Sequence, residues 1–266
     1  MEKKLKSWQG WLLFGGTMVV VFVLGMIAAS VNERHAEVSS VMNNKKTEIT
    51  GIEARNDKFE PNYPREYQTW EATADTSFKS LYNGNQAVDV LEARPEMVIL
   101  WAGYAFSKDY STPRGHMYAI EDMRNTLRVG APMTENEGPQ PATCWTCKSP
   151  DVPRMMQAMG VDNFYKGKWA SLGKEIVNPI GCADCHEPEN MNLHISRPAL
   201  IEAFQRQGKD ITKATQQEMR SLVCAQCHVE YYFKGDGKYL TFPWDKGFTV
   251  EDMEAYYDEA GFYDYI

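Results

Sequence analysis

All six cysteines of the 266-residue chain fall into three pairs with two residues between them: CWTCK at 144–148, CADCH at 182–186 and CAQCH at 224–228. Two sulfurs at this spacing can form thioether bonds to the two vinyl groups of one haem, and the next residue then lies under the iron as its axial ligand. A neutral imidazole suits that position. Cys182 and Cys185 with His186, and Cys224 and Cys227 with His228, therefore have the composition of c-type haem attachment sites. Zinc is the competing chemistry, but motifs 38 and 42 residues apart do not match the ribbon spacing of about 15–20 residues. A thioredoxin-like redox pair would sit in a βαβ surround, and none of the three has one. Three disulfides are the ordinary reading of six cysteines in an exported chain, yet the Lys or His after every pair favours haem.

The first motif differs from the other two. Cys144 and Cys147 are followed by Lys148, and an ammonium group cannot bind a metal, so this side chain must lose its proton to serve as a ligand. Burial beside a metal cation favours that loss. Nothing in plain electron transfer calls for an amine. The exchange therefore marks one haem as different, with an open face for substrate. The other two would be closed electron-transfer haems if a second histidine caps each iron. Apart from His186 and His228 the chain has His35, His116 and His194. His35 lies in a polar stretch and is a poor candidate, so His116 in PRGHMYA, followed by His194 in NLHISRP, remain as possible ligands.

These motifs need elements to hold them. Lys3, Lys4 and Lys6 precede an uncharged run, Gly10–Ala29, of the length that spans a bilayer as a helix. It reads as a retained anchor, with cleavage of a signal near Ala28-Ala29-Ser30 as the alternative. In either case the basic flank stays cytoplasmic and the remainder is exported. The expected organisation is a basic flank at 1–9, an anchor or signal at 10–29, a polar tether at 30–60, helical in places, and a folded part at 61–266. Aromatic and apolar residues become dense from Tyr67 onward. Frequent Pro and Gly, as at Pro150, Pro153, Pro179, Pro188 and Pro198, predict a mainly α fold of short helices between long irregular loops. Thr249 followed by Glu251 and Asp252 predicts a helix start running into MEAYYDEAGF. A net charge of -8 without a basic stripe excludes nucleic acid as a partner.

The chain closely resembles the pentahaem cytochrome c nitrite reductases, the ammonia-forming enzymes of the periplasmic face. The resemblance rests on VILWAGYAFSKDY, PRGHMYA, NTLRVGAP, ATCWTCKSPDVPR, GCADCH, SLVCAQCHVEYYF and FPWDKG, and covers roughly residues 54 to 266. It implies six-electron reduction of nitrite to ammonium at the haem of Cys144, Cys147 and Lys148, the other haems relaying electrons. It implies Arg128 as the distal cation that holds nitrite, a role suited to a permanently charged fork donor. It further implies Tyr231 as an active-site hydrogen-bond donor and His116 as a distal ligand on an electron-transfer haem. Glu230 and the Tyr231 carbonyl become ligands of a calcium ion, whose preference for oxygen fits both.

Three haems would be attached in this chain, whereas five are expected in the full-length family. Two further motifs, the remaining calcium ligands, a catalytic distal histidine and the dimerising helices lie downstream of FPWDKG in the family, so the resemblance implies a C-terminally incomplete chain here. A quinol-linked membrane cytochrome is the implied donor, a homodimer the implied assembly of the full-length enzyme, and the periplasmic face of the cell membrane the implied location. The competing function is a membrane-tethered electron-transfer cytochrome with every haem closed and no substrate of its own.

Overall fold

The computed structural model describes residues 6–43, 45–81, 84–101, 114–126, 129 and 140–261. They are mainly helical, with one two-stranded sheet. The chain divides into two compact units, Met1–Thr47 with Pro61–Tyr63, and Glu48–Glu60 with Pro64–Ile266.

The first unit is dominated by a single helix, Ser7–Asn43. Its Ser7–Ser40 stretch is long and apolar enough to cross a membrane, and none of it is buried within the structure. The large apolar side chains from Trp8 to Val31 are exposed on every side, which suits a helix surrounded by lipid, whether as an anchor or as a signal. The hydroxyl of Thr17 donates to the Leu13 carbonyl at 2.8 Å, so it adds no unsatisfied polar group to the apolar run. The polar residues 30–43 continue the same helix without a break. Beyond it, Asn62 accepts from the Lys46 and Thr47 amides at 2.7 and 3.0 Å and donates to the Thr47 carbonyl, tying 61–63 to the segment after the helix.

The second unit is built from short helices, as the Pro and Gly punctuation predicts. Asp151–Met159 and Val161–Lys166 are separated only by Gly160, whose φ of 87° no β-carbon tolerates well. Pro198 opens the helix Pro198–Arg206, where its fixed φ fits and its missing N–H costs nothing. The helices Gln216–Ala225 and Val250–Ala260 each start in a reciprocal capping box, Thr215 with Glu218 and Thr249 with Asp252. The second of these is the start predicted from the sequence.

The core gathers behind the first cysteine motif. Trp145, Phe164, Tyr165, Ile176, Leu200 and Phe242 are all buried in one cluster. Trp145 stacks on Trp169 with centroids 4.6 Å apart, and its Nε1 donates to the Trp169 carbonyl at 2.9 Å. Burial of both the ring and its polar edge makes this tryptophan a fixed point for CWTCK. The hairpin Tyr232–Lys234 with Tyr239–Thr241 pairs Tyr232 with Thr241, Phe233 with Leu240 and Lys234 with Tyr239. Leu240 and Thr241 are both buried, and Phe242 and Trp244 extend the packing by stacking at 4.7 Å.

Residues 48–60, polar enough to read as a tether, take part in this unit. Phe59 is fully buried, and Asn56 is buried against residues 179–182. One apolar ring and one amide bonded inward through both its nitrogen and its oxygen leave little trace in a hydropathy pattern.

Candidate functional site

The first motif lies on a 3₁₀ turn, Ala142–Trp145, followed by Thr146 to Lys148. Thr143 donates to the Lys238 carbonyl at 2.6 Å, and Thr146 donates back to the Thr143 carbonyl at 2.7 Å. Trp145 is anchored in the core, and Cys144 and Cys147 on either side of it are half-buried. Lys148 is half-buried and close enough to His116 for its charge to be felt there.

The second motif forms the single turn Cys182–Cys185. Its start is fixed by Asn56, which accepts from the Cys182 amide at 2.9 Å and donates to the Pro179 carbonyl at 3.2 Å. Gly181 is required there, because a β-carbon would come within 1.8 Å of the Asn56 side-chain oxygen. His186 places Nδ1 2.7 Å from the Met191 carbonyl. A carbonyl can only accept, so Nδ1 carries a proton and Nε2 is the nitrogen left to offer a lone pair. That is the arrangement in which a histidine is oriented for a metal. Beside His186 lies an open cleft of about 760 Å³, lined by Met191, Leu193, Met219, Arg220 and Val223 among others, a size that suits a cofactor.

The third motif closes the helix Gln216–Ala225. It packs against the other two through Gln226 and the backbone of its helix. Cys147 Sγ lies 3.9 Å from the Gln226 carbonyl. Cys185 Sγ lies 4.0 Å from the Val223 carbonyl. All six thiols are free. Burial pushes those of Cys182 and Cys185 up to about 11, so in the haem-free chain both are protonated at neutral pH.

His116 faces His228 with ring centroids 6.3 Å apart and planes tilted by 37°. The two imidazoles are therefore close neighbours, near enough for both to be offered to one metal ion. His116 is held there from behind. Gly115 brings the backbone so close to Thr73 that a β-carbon would meet its carbonyl oxygen at 2.4 Å, and Tyr118 donates to the Ala74 carbonyl at 2.8 Å. Trp70, one helix back, donates to the Ile180 carbonyl at 2.7 Å beside the second motif. Although His116 retains solvent exposure, its pKa is lowered from the ordinary 6.5, first by desolvation and next by repulsion from His228, with Asp184 opposing and Lys148 reinforcing. A neutral imidazole is the form that can ligate.

His194 sits beside the second motif, its amide donating to the Cys185 carbonyl at 3.0 Å. Its buried Nδ1 has no partner among the described residues. His35 lies exposed in the long N-terminal helix. Arg128 lies outside the described residues. Tyr231 is 40% exposed, with its ring 5.8 Å from that of Phe233. Glu230 is exposed, and its Oε1 accepts from the hydroxyls of Tyr232 and Tyr257 at 2.7 and 3.4 Å. No cluster of three or more metal-ligating side chains occurs among the described residues.

Three residues that tie the motifs together escaped the sequence reading: Arg197, Asp184 and Gln226. Arg197 is fully buried and pairs with Asp184 at 2.5 Å. A faint signal exists, because the residue before the second cysteine is polar in every motif: Thr146, Asp184 and Gln226.

Residues 55–266 match the family model described as Cytochrome c552. Among curated proteins named cytochrome c-552, the chain is 98% identical over 265 residues to that of Parabacteroides distasonis and 79% identical over 266 residues to that of Bacteroides thetaiotaomicron. Each match takes in 100% of this chain and 54% of the relative, so the chain spans about half the length of those proteins. Among solved structures, the catalytic subunit of cytochrome c nitrite reductase from Desulfovibrio desulfuricans, described with two calcium sites, is similar at a TM-score of 0.72 and 34% identity. That likeness covers 80% of this chain and 48% of the other.

Proposed function

The chain belongs to the cytochrome c552 family, and from that membership we propose that it carries the nitrite-reducing centre of an ammonia-forming cytochrome c nitrite reductase. The observation that carries this reading is Lys148, which stands where the other two motifs have a histidine. The likeness to a solved nitrite reductase subunit supports it. Haem c, when bound, supplies an iron that passes single electrons and, where an axial position stays open, can bind a small anion.

Each residue then has a defined task. Cys144 and Cys147 would hold the first haem by thioether bonds, with the Lys148 amine as an iron ligand. Cys182 and Cys185 with His186, and Cys224 and Cys227 with His228, would hold two more. His116, whose ring lies 6.3 Å from that of His228, would be a further ligand of the last of these. His186 enters with its tautomer already selected by the Met191 carbonyl. Arg128 binds the nitrite anion through its charge and its fork of donors. The Tyr231 hydroxyl lies one residue from the hairpin and is the proton-bearing group assigned to the substrate side. Glu230, oriented through Oε1 by two tyrosine hydroxyls, and the Tyr231 carbonyl are oxygen donors of the kind calcium takes.

Electrons would come from a quinol-linked membrane cytochrome, and the Ser7–Asn43 helix would hold the enzyme at the periplasmic face of the same membrane. The full-length protein is expected to carry five haems and to dimerise. The test is ammonium formation from nitrite by the full-length, haem-loaded protein with a reduced viologen dye. Lys148→His should lower the rate by about tenfold or more. An unchanged rate would remove the lysine from the account.

A further inference from the structure

We propose that Arg197 is a positioning residue that sets the mutual placement of all three haem-attachment peptides, its buried guanidinium joining the first two and its backbone amide the third. The inference rests on reading those motifs as haem sites and goes beyond it by naming what holds them in register.

The geometry is specific. Arg197 Nε donates to the Thr146 carbonyl at 2.6 Å, inside the first motif, and Nη2 donates to the Ser149 carbonyl at 2.8 Å, just after it. The same Nη2 meets Asp184 Oδ1 at 2.5 Å, inside the second motif. The backbone amide of Arg197 donates to Gln226 Oε1 at 3.1 Å, inside the third. Gln226 in turn donates through Nε2 to the Asp184 carbonyl at 2.7 Å, and Asp184 Oδ2 accepts from the Gly181 amide at 2.8 Å. Ser196 completes the link, donating to the Asp184 carbonyl at 2.7 Å and accepting from Arg197 Nη1 at 2.6 Å.

In each motif the contacted residue is the one immediately before the second cysteine. That residue lies between the two thioether sulfurs, so fixing it fixes the peptide that carries the porphyrin. A buried charge is retained only where paired and hydrogen-bonded, and here every partner but the neighbouring Ser196 belongs to a motif or to its flank. Lysine could keep the charge but not the planar fork that reaches the first and second motif peptides at once. An apolar residue would leave Asp184 buried and unpaired.

The test uses the haem-loaded protein with two variants, Arg197→Lys and the milder Gln226→Met, read by amide hydrogen exchange and by the midpoint potentials of the individual haems. The hub predicts exchange about tenfold or more faster at all three motif peptides together, with the strand Tyr239–Thr241 unchanged. It also predicts potentials that move at all three haems in both variants, because haem burial and hydrogen bonding change together. Exchange that rises in only one motif, rises uniformly across the domain, or does not rise, overturns the proposal. So do potentials that stay fixed at two of the three haems. A Gln226→Met protein that keeps its haems covers the case in which Arg197→Lys does not fold. Haem content separates the two readings: cysteine pairs that carry no haem defeat the haem assignment, while the exchange pattern still decides the role of Arg197.

Discussion

The imidazoles of His116 and His228 face each other across 6.3 Å, although 112 positions separate them in the chain. His228 is placed by the end of the helix Gln216–Ala225, and His116 by the close approach of Gly115 to Thr73. Neither ring hydrogen-bonds the other, so the spacing reflects the backbones that carry them. In the haem-loaded protein, His116→Ala should open one axial position on the haem of Cys224 and Cys227. Absorption and magnetic resonance spectra should show one low-spin haem becoming high-spin, restored by added imidazole. Spectra identical to those of the parent would assign the cap to another side chain.

A glycine supports the second motif in a comparable way. Gly181→Ala drives a β-carbon into Asn56, which must then release the Cys182 amide and the Pro179 carbonyl. The loss of two buried hydrogen bonds costs about 1–3 kcal/mol. Mass spectrometry should show less haem on the peptide containing Cys182 and Cys185, with the other two peptides unaffected. Adding Asn56→Ala to the variant makes room for the new methyl group and should recover part of the loss. Full haem content in Gly181→Ala alone would mean that Asn56 moves freely.

How much of this was legible beforehand divides by range. The cysteine motifs and the capping box at Thr249 are local patterns, complete within five residues, and they stand in the structure where the sequence places them. The short-helix, loop-rich architecture follows from Pro and Gly positions in the same way. Arg197 was not legible. Its partners lie 51 residues away at Thr146, 13 at Asp184 and 29 at Gln226, and an arginine before a proline carries no periodic signal. Asn56 escaped for the same reason, its bonds spanning 123 and 126 residues. Tertiary hydrogen bonds of buried polar side chains are the part of a fold that composition conceals best, because such residues look like surface until their partners are known.

Thiol reactivity gives an independent check on the second motif. In the haem-free chain the raised pKa values of Cys182 and Cys185 leave both as unreactive thiols at pH 8, whereas Cys224 is exposed. Alkylation followed by peptide mapping should label Cys224 first and the second pair late. The linkage has a definite sign, since the folded thiols hold their protons to about 11 against an ordinary 9.0. Their contribution to stability is complete below pH 9.0 and is lost as pH rises towards about 11. Equal labelling of all three cysteine motifs at pH 8 would contradict the burial described.

The most direct measurement on the central claim is a nitrite titration of the haem-loaded protein followed by magnetic resonance. If the Lys148 amine lies beneath one haem and leaves its far side vacant, one high-spin iron is present at the start and its signal changes with added nitrite, with Lys148→His altering both signal and affinity. Iron that is six-coordinate and low-spin at every haem, indifferent to nitrite, would contradict the account and leave an electron-transfer cytochrome in its place.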